Sequence, residues 1–247
     1  MRISDSKYLV TMTWDDAPHL DEQSKKMLWD SIPPFQRDAR TKGLPSLGAG
    51  AIYPLSEDDI RVDPFEIPEY WPRAFGMDVG WNCTAAVWGA HDRESDTWYL
   101  YSEYSKGQAE PVIHAEGIKA RGCWIPGAID PASRGRGQKD GDNLFETYIN
   151  QGLDLVKAEN AVESGILNVW QLLSTGRLKV FSNLTKWFEE FRIYRRDEKG
   201  HIIKKNDHLM DATRYYVMTG RDIETIEPAN TIIKKNNGQS QAGWMGA

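Results

Sequence analysis

The sequence predicts a mixed α/β fold in which an antiparallel meander runs on into alternating helices and strands. Two observations predict it. Three strand-like runs follow one another between residues 73 and 104, the last two joined by the tight turn His91–Asp96. From Pro111 onward helical and strand-like stretches alternate, an order that builds one sheet with helices on its faces.

The elements follow in order. Ala74–Val79 is a short apolar strand ending in Asp78–Val79–Gly80, Thr84–Ala90 is the next, and Thr97–Tyr104 alternates as the third. Pro111–Arg121 reads as a helix opened by proline, and Trp124–Asp130 as a strand closed by Asp130–Pro131. Asn143–Gln151 is a helix and Leu153–Lys157 a strand. Ala161–Thr175 carries Val162, Ile166, Val169, Trp170 and Leu173 at helical spacing, and Gly176 stops it. Leu178–Phe181 is a short strand. Lys186–Arg195 is a helix with Trp187, Phe188, Phe191 and Tyr194 on one side. Arg195–Lys205 reads as a hairpin around Lys199–Gly200, and Asp207–Thr219 as the last helix, closed by Gly220.

The flanks differ from this core. A strand-like run, Tyr8–Thr13, precedes a polar turn and a short helix over 15–28; Pro33, Pro34, Gly43, Pro45, Gly48 and Gly50 then punctuate loop. Residues 54–72 hold Pro54, Pro64, Pro68 and Pro72 and read as an extended linker. After Arg221 the chain turns polar and ends in KKNNGQSQAGWMGA, expected to be a flexible tail over 221–247.

Composition narrows the class. Forty per cent hydrophobic and 27% charged residues are ordinary for a globular chain of 247 residues. No apolar run approaches the roughly 20 residues that span a bilayer, and the first residues lack the pattern of a signal peptide, so no membrane role is expected. Cys83 and Cys123 are too few for a disulfide framework or a four-ligand zinc site, and are expected as free thiols. A net charge of −6 argues mildly against a simple nucleic-acid-coating protein and leaves room for an enzyme that collects carboxylates around metal ions.

Three carboxylates carry the chemical argument. Asp78 closes the first meander strand, Asp130 closes a later strand, and Asp211 lies in the last helix. Sites in open α/β sheets form at strand ends, so Asp78 and Asp130 meet if their strands are neighbours, and a helix beside them can deliver Asp211. Clustered carboxylates repel unless a cation sits between them, and hard Mg²⁺ or Mn²⁺ prefers such oxygens. Two ions about 3.5–4 Å apart activate water and stabilise a leaving alkoxide in phosphodiester hydrolysis. Each acid taken alone also reads as an ordinary turn or helix residue. The last helix adds weight, because His208 and Asp211 stand at i, i+3 with Asp207 at i−4 from Asp211, beside a core stripe of Leu209, Ala212, Thr213 and Tyr216. His208 could equally be a surface histidine, and Asp207 the helix N-cap. Arg134, Arg136 and Lys139 in a Gly-rich loop, and Arg195, Arg196, Lys204 and Lys205 in the hairpin, are candidate phosphate contacts; a solvated charged surface is the alternative. Lys234 and Lys235 in the tail are candidate contacts for DNA or a partner.

The segments FGMDVGWN (75–82), AIDPASRG (128–135) and NDHLMDATRYYV (206–217), in this order, resemble the nuclease domain of phage large terminase subunits, of the type found in short-tailed, headful-packaging phages. The resemblance implies an RNase H-like fold and a metal-dependent endonuclease that cuts concatemeric double-stranded DNA when packaging starts and ends. It implies Asp78, Asp130 and Asp211 as catalytic, metal-binding acids, joined in some family members by a histidine at the position of His208; from spacing, Asp207 is a further candidate ligand, and two Mg²⁺ or Mn²⁺ ions are expected. It also implies a terminase small subunit, a portal or procapsid and an ATPase domain as partners, in the host cytoplasm during assembly. No G-x-x-x-x-G-K-[ST] loop is present, so ATPase activity is not expected of this chain. TWDDAPHL (13–20) is similar to the family's segment just after the ATPase core, so residues 1–53 are expected to be the end of that domain and 73–220 the nuclease. Two other readings are a resolvase- or transposase-type nuclease of the same fold, and a non-catalytic arm that docks DNA or the portal.

Overall fold

In a computed structural model, residues 2–4, 7–8, 13–17, 19–31, 41, 50–131, 144–197 and 199–228 are described. Near the start, β1 (Arg2–Ser4) and β2 (Lys7–Tyr8) form a small antiparallel pair, followed by the helix α1 (Glu22–Ser31). The main body is a seven-stranded sheet. Its strands are β3 (Arg61–Val62), β4 (Arg73–Asp78), β5 (Thr84–Asp92), β6 (Thr97–Lys106), β7 (Gly127–Ile129), β8 (Leu155–Lys157) and β9 (Leu178–Phe181), in the spatial order β3-β9-β6-β5-β4-β7-β8.

The expected meander is β4-β5-β6, antiparallel throughout, with Asp78 opposite Ala85 and Thr84 opposite Lys106. Parallel strands extend it on both sides: β7 lies beside β4 and β8 beside β7, while β9 lies beside β6 and β3 beside β9. Strand β7 is shorter than Trp124–Asp130. Ile125 N–H donates to Gly122 O at 3.1 Å, so the first residues of that run are a turn, and Pro126 has no N–H to give a ladder.

Successive residues of β4 and β5 point to opposite faces, as strand geometry requires. Ala74, Ala85 and Val87 enter one core, with α5 (Val162–Ser174), α6 (Thr185–Ile193) and α7 (His208–Tyr215). Phe75, Met77, Ala86 and Trp88 enter the other, with α3 (Pro111–Lys119) and α4 (Leu144–Asn150). In α6 the expected aromatic face, Trp187, Phe188, Phe191 and Tyr194, is buried. In α5 the stripe is rotated: Gly165 and Leu172 face inward, and Trp170 is 38% exposed.

The flanks correct two expectations. The segment 54–72 is not a bare linker. Ser56 caps a one-turn helix α2 (Glu57–Ile60), Ile60 is fully buried, and Arg61–Val62 becomes an edge strand of the sheet. Just before it, Ile52 and Tyr53 are buried, with Tyr53 against Phe191 and Tyr194. At the other end, α7 runs into a π-helical turn (Tyr216–Gly220) and α8 (Arg221–Ile223), and Thr225 bridges to Arg73. The sheet unit therefore reaches beyond 220. The rest of the expected tail, including Lys234 and Lys235, lies outside the described residues. Cys83 and Cys123 are unpaired, and no helix among the described residues is long and apolar enough to cross a membrane.

Candidate active site

Strand register brings the first two acids together. Phe75, Gly76 and Met77 pair with Gly127, Ala128 and Ile129 in parallel, and Asp130 N–H donates to Met77 O at 2.9 Å. Asp78 and Asp130 are thus the next residues of two neighbouring parallel strands, at the same end of the sheet. The third acid arrives on α7, which lies directly across β4. A Cβ on Gly76 would sit 2.0 Å from Ala212 O and 2.6 Å from Tyr216 N, so only glycine lets the helix backbone approach so near.

Each acid has a distinct setting. Asp78 Oδ2 is 2.8 Å from Nδ1 of His208, the first residue of α7. Burial pushes the Asp78 carboxyl up, the histidine opposes this, and the charges of Asp211 and Asp130 push the same way as burial. Hydrogen bonding to Asp78 raises the His208 imidazole against its own burial. Asp211 is 8% exposed and held from two sides. Its Oδ1 accepts from Arg214 Nη2 at 3.1 Å, and its Oδ2 from Lys204 Nζ at 2.8 Å. Arg214 is itself buried. It also reaches Asn160 Oδ1 at 3.3 Å, and its stem passes where a Cβ on Gly165 would stand 2.5 Å from Cγ.

Asp207 occupies the N-cap position of α7, but its side chain makes no capping hydrogen bond. It is 5% exposed, and its Oδ2 lies 3.1 Å from Lys204 Nζ without hydrogen-bond geometry to any group. Glu190 of α6 caps the helix instead, accepting Leu209 N–H at 2.6 Å. Burial pushes the Glu190 carboxyl up to about 7 despite that bond.

The acids share one end of the sheet without forming a closed cage. Among the described residues, no three His, Cys, Asp or Glu side chains are gathered tightly enough to hold a metal ion.

The sequence of this region matches a family model. Residues 75–219 fit the Terminase RNaseH-like domain. The chain belongs to this family. Over 228 residues it is 34% identical to the large terminase subunit of Salmonella phage P22, an alignment covering 88% of this chain and 45% of that protein. The chain thus spans less than half the length of the curated relatives it matches. Among solved structures, the nuclease domain of the P22 large terminase superposes with a TM-score of 0.67 at 33% identity, covering 73% of this chain and 97% of that one. A large terminase from a thermophilic bacteriophage, in complex with ADP, superposes at 0.61 and 25% identity, covering 84% and 54%. The terminase nuclease domain therefore has the RNase H-like fold expected from its three motifs.

Within this terminase nuclease domain the expected phosphate contacts divide. Arg134, Arg136 and Lys139 lie outside the described residues. Arg195 and Lys205 are exposed at the hairpin. Arg196 is not an open cation: it forks onto Glu163 of α5, at 3.0 and 2.5 Å. Lys204 turns inward to Asp211 and Asp207 rather than outward. Two members of the site were missed in the sequence. Arg214 carried a signal, since it stands three residues after Asp211 on the same helix. Glu190 carried none, because only the packing of α6 against α7 brings it there.

Proposed function

We propose that this terminase nuclease domain hydrolyses the backbone of concatemeric double-stranded DNA, cutting at the start and end of genome packaging. One observation carries the proposal: the bond from Asp130 N–H to Met77 O, which sets Asp78 and Asp130 side by side at the strand ends facing α7. The three aspartates offer carboxylate oxygens, which suit a hard divalent cation, and Asp207 adds a fourth carboxyl, buried and paired with the Lys204 ammonium at 3.1 Å. Asp78, Asp130 and Asp211 would hold Mg²⁺ or Mn²⁺, with His208 and Asp207 at the margin and room in the chemistry for two ions. Bound there, the metal would supply Lewis-acid activation of water and charge for the leaving oxygen. The chain's own residues set the stage. His208 orients Asp78, Arg214 fixes one oxygen of Asp211, and Glu190 anchors the first turn of α7, which carries His208 and Asp211. Arg195 and Lys205 are proposed phosphate contacts.

The length of the curated relatives supports an ATPase domain elsewhere in the same subunit. The terminase small subunit and the portal or procapsid are the proposed partners, in the host cytoplasm. The test is cleavage of plasmid DNA with Mg²⁺ or Mn²⁺, with and without chelator. Asp78→Ala, Asp130→Ala and Asp211→Ala each abolish cutting while circular dichroism stays native. Persistent metal-dependent cutting by all three variants rejects the assignment.

A further inference from the structure

Asp211 is held by two cations of different kinds. Arg214 is 2% exposed and locked by Asn160 and by the passage over Gly165. The Lys204 side chain is 58% exposed, yet its ammonium lies 2.8 Å from Asp211 Oδ2 and 3.1 Å from Asp207 Oδ2. More than half of the side chain is open to solvent, yet its ammonium meets two buried acids. The backbone is set for this: Asn206, in the left-handed region at φ 53°, turns the chain between Lys204 and α7. A lysine on a flexible four-carbon stem can leave by side-chain rotation alone, whereas Arg214 cannot move without opening the core.

Two buried carboxylates need a nearby positive charge to stay folded side by side. Lys204 supplies it. The oxygen it covers on Asp211 is also the one that Arg214 leaves open to a metal. We propose that Lys204 is the resident counter-ion of the acidic site, and that a divalent cation loads only by displacing its ammonium into solvent. The proposal rests on the reading of these acids as metal ligands. A metal that binds only the lysine-out state has its apparent affinity reduced by the fraction of chains in that state, so removing the lysine strengthens binding.

The test uses the 247-residue chain and Mn²⁺ alone, followed by calorimetry. Lys204→Met is expected to bind Mn²⁺ about tenfold more tightly than the parent. Its metal-free melting temperature falls, and its stabilisation by Mn²⁺ is larger. A second measurement needs no variant. In the parent chain, acetylation of Lys204 by an amine-reactive ester, read by mass spectrometry, rises several-fold when Mn²⁺ replaces chelator, while exposed Lys205 does not change. If Lys204→Met fails to fold, the labelling decides. Mn²⁺ binding by the parent with Lys204 labelling unchanged, or a folded Lys204→Met that binds no more tightly, overturns the counter-ion role and leaves the metal site standing. Absence of Mn²⁺ binding by both chains overturns the metal site, and the counter-ion role with it.

Discussion

Arg214 shows how one side chain can be structural and still shape chemistry. A guanidinium buried this deeply is tolerated only because Asp211 and Asn160 meet its donors, while the Tyr215 ring lies 4.5 Å from its charged carbon. Removing one partner of a buried pair leaves the other uncompensated. Arg214→Met is therefore expected to cost about 3 kcal/mol in urea unfolding, even with Lys204 still beside Asp211. Glu190 makes a prediction in pH. Its carboxyl titrates near 4.5 when unfolded but near 7 when folded, chiefly because it is buried. The native chain binds that proton more tightly, so the group's contribution to stability is full below about pH 4.5 and is lost as pH rises through about 7. Relative to Glu190→Gln, the parent is expected to lose on the order of 3 kcal/mol across that window, with a flat difference above it. Denaturant titrations at pH 5 and pH 8 check this, and parallel curves for the two chains would count against it.

At the scale of elements, the fit of α7 onto β4 decides whether a site exists. Gly76→Ala drives a methyl group into the Ala212 carbonyl, which belongs to the helix backbone and cannot rotate away. The expected loss is about 3 kcal/mol, seen in thermal unfolding, with the proposed DNA cleavage lost as well because Asp211 is displaced from Asp78. Periodic elements were legible in the sequence. Leu178–Phe181 has the predicted bounds, and the aromatic face of α6 is the predicted one. Asp78 and Asp130 were legible as strand-end acids, since an apolar run that stops at an Asp marks its own end. Strand β3 was not, because a two-residue strand among prolines has no period to detect; its place comes from pairing with β9. The inward turn of Gly165 was hidden for a similar reason, as a glycine adds nothing to a hydrophobic stripe. It faces inward to make room for Arg214, a need visible only once α5 and α7 are packed. The inward reach of Lys204 was illegible too, since a lysine beside a hairpin reads as surface until the acids it serves are placed.

Among the described residues, the main body is the seven-stranded sheet with a large core cluster on each face, and one edge of it depends on a segment outside the family match at 75–219. Ile52, Tyr53 and Ile60 complete the core under α6 and β9, and β3 covers the β9 edge. A chain beginning at residue 50 is expected to melt like the parent. One beginning at residue 73 loses those side chains and uncovers a strand edge, and is expected to melt on the order of 10 °C lower and to aggregate. Scanning calorimetry with light scattering separates the two; equal melting would show that these residues add little.

The spread of the acids along the chain also sets a timetable for synthesis. Asp78 and Asp130 can pair as soon as β4, β5 and β7 have left the ribosome, but α7 emerges about eighty residues later. Until it docks, the site lacks Asp211, its histidine and both of its cations. Under the proposed chemistry, a nascent chain, or a translation product that stops short of α7, is inert toward DNA, so the cutting capacity is withheld until the sheet has its last helix.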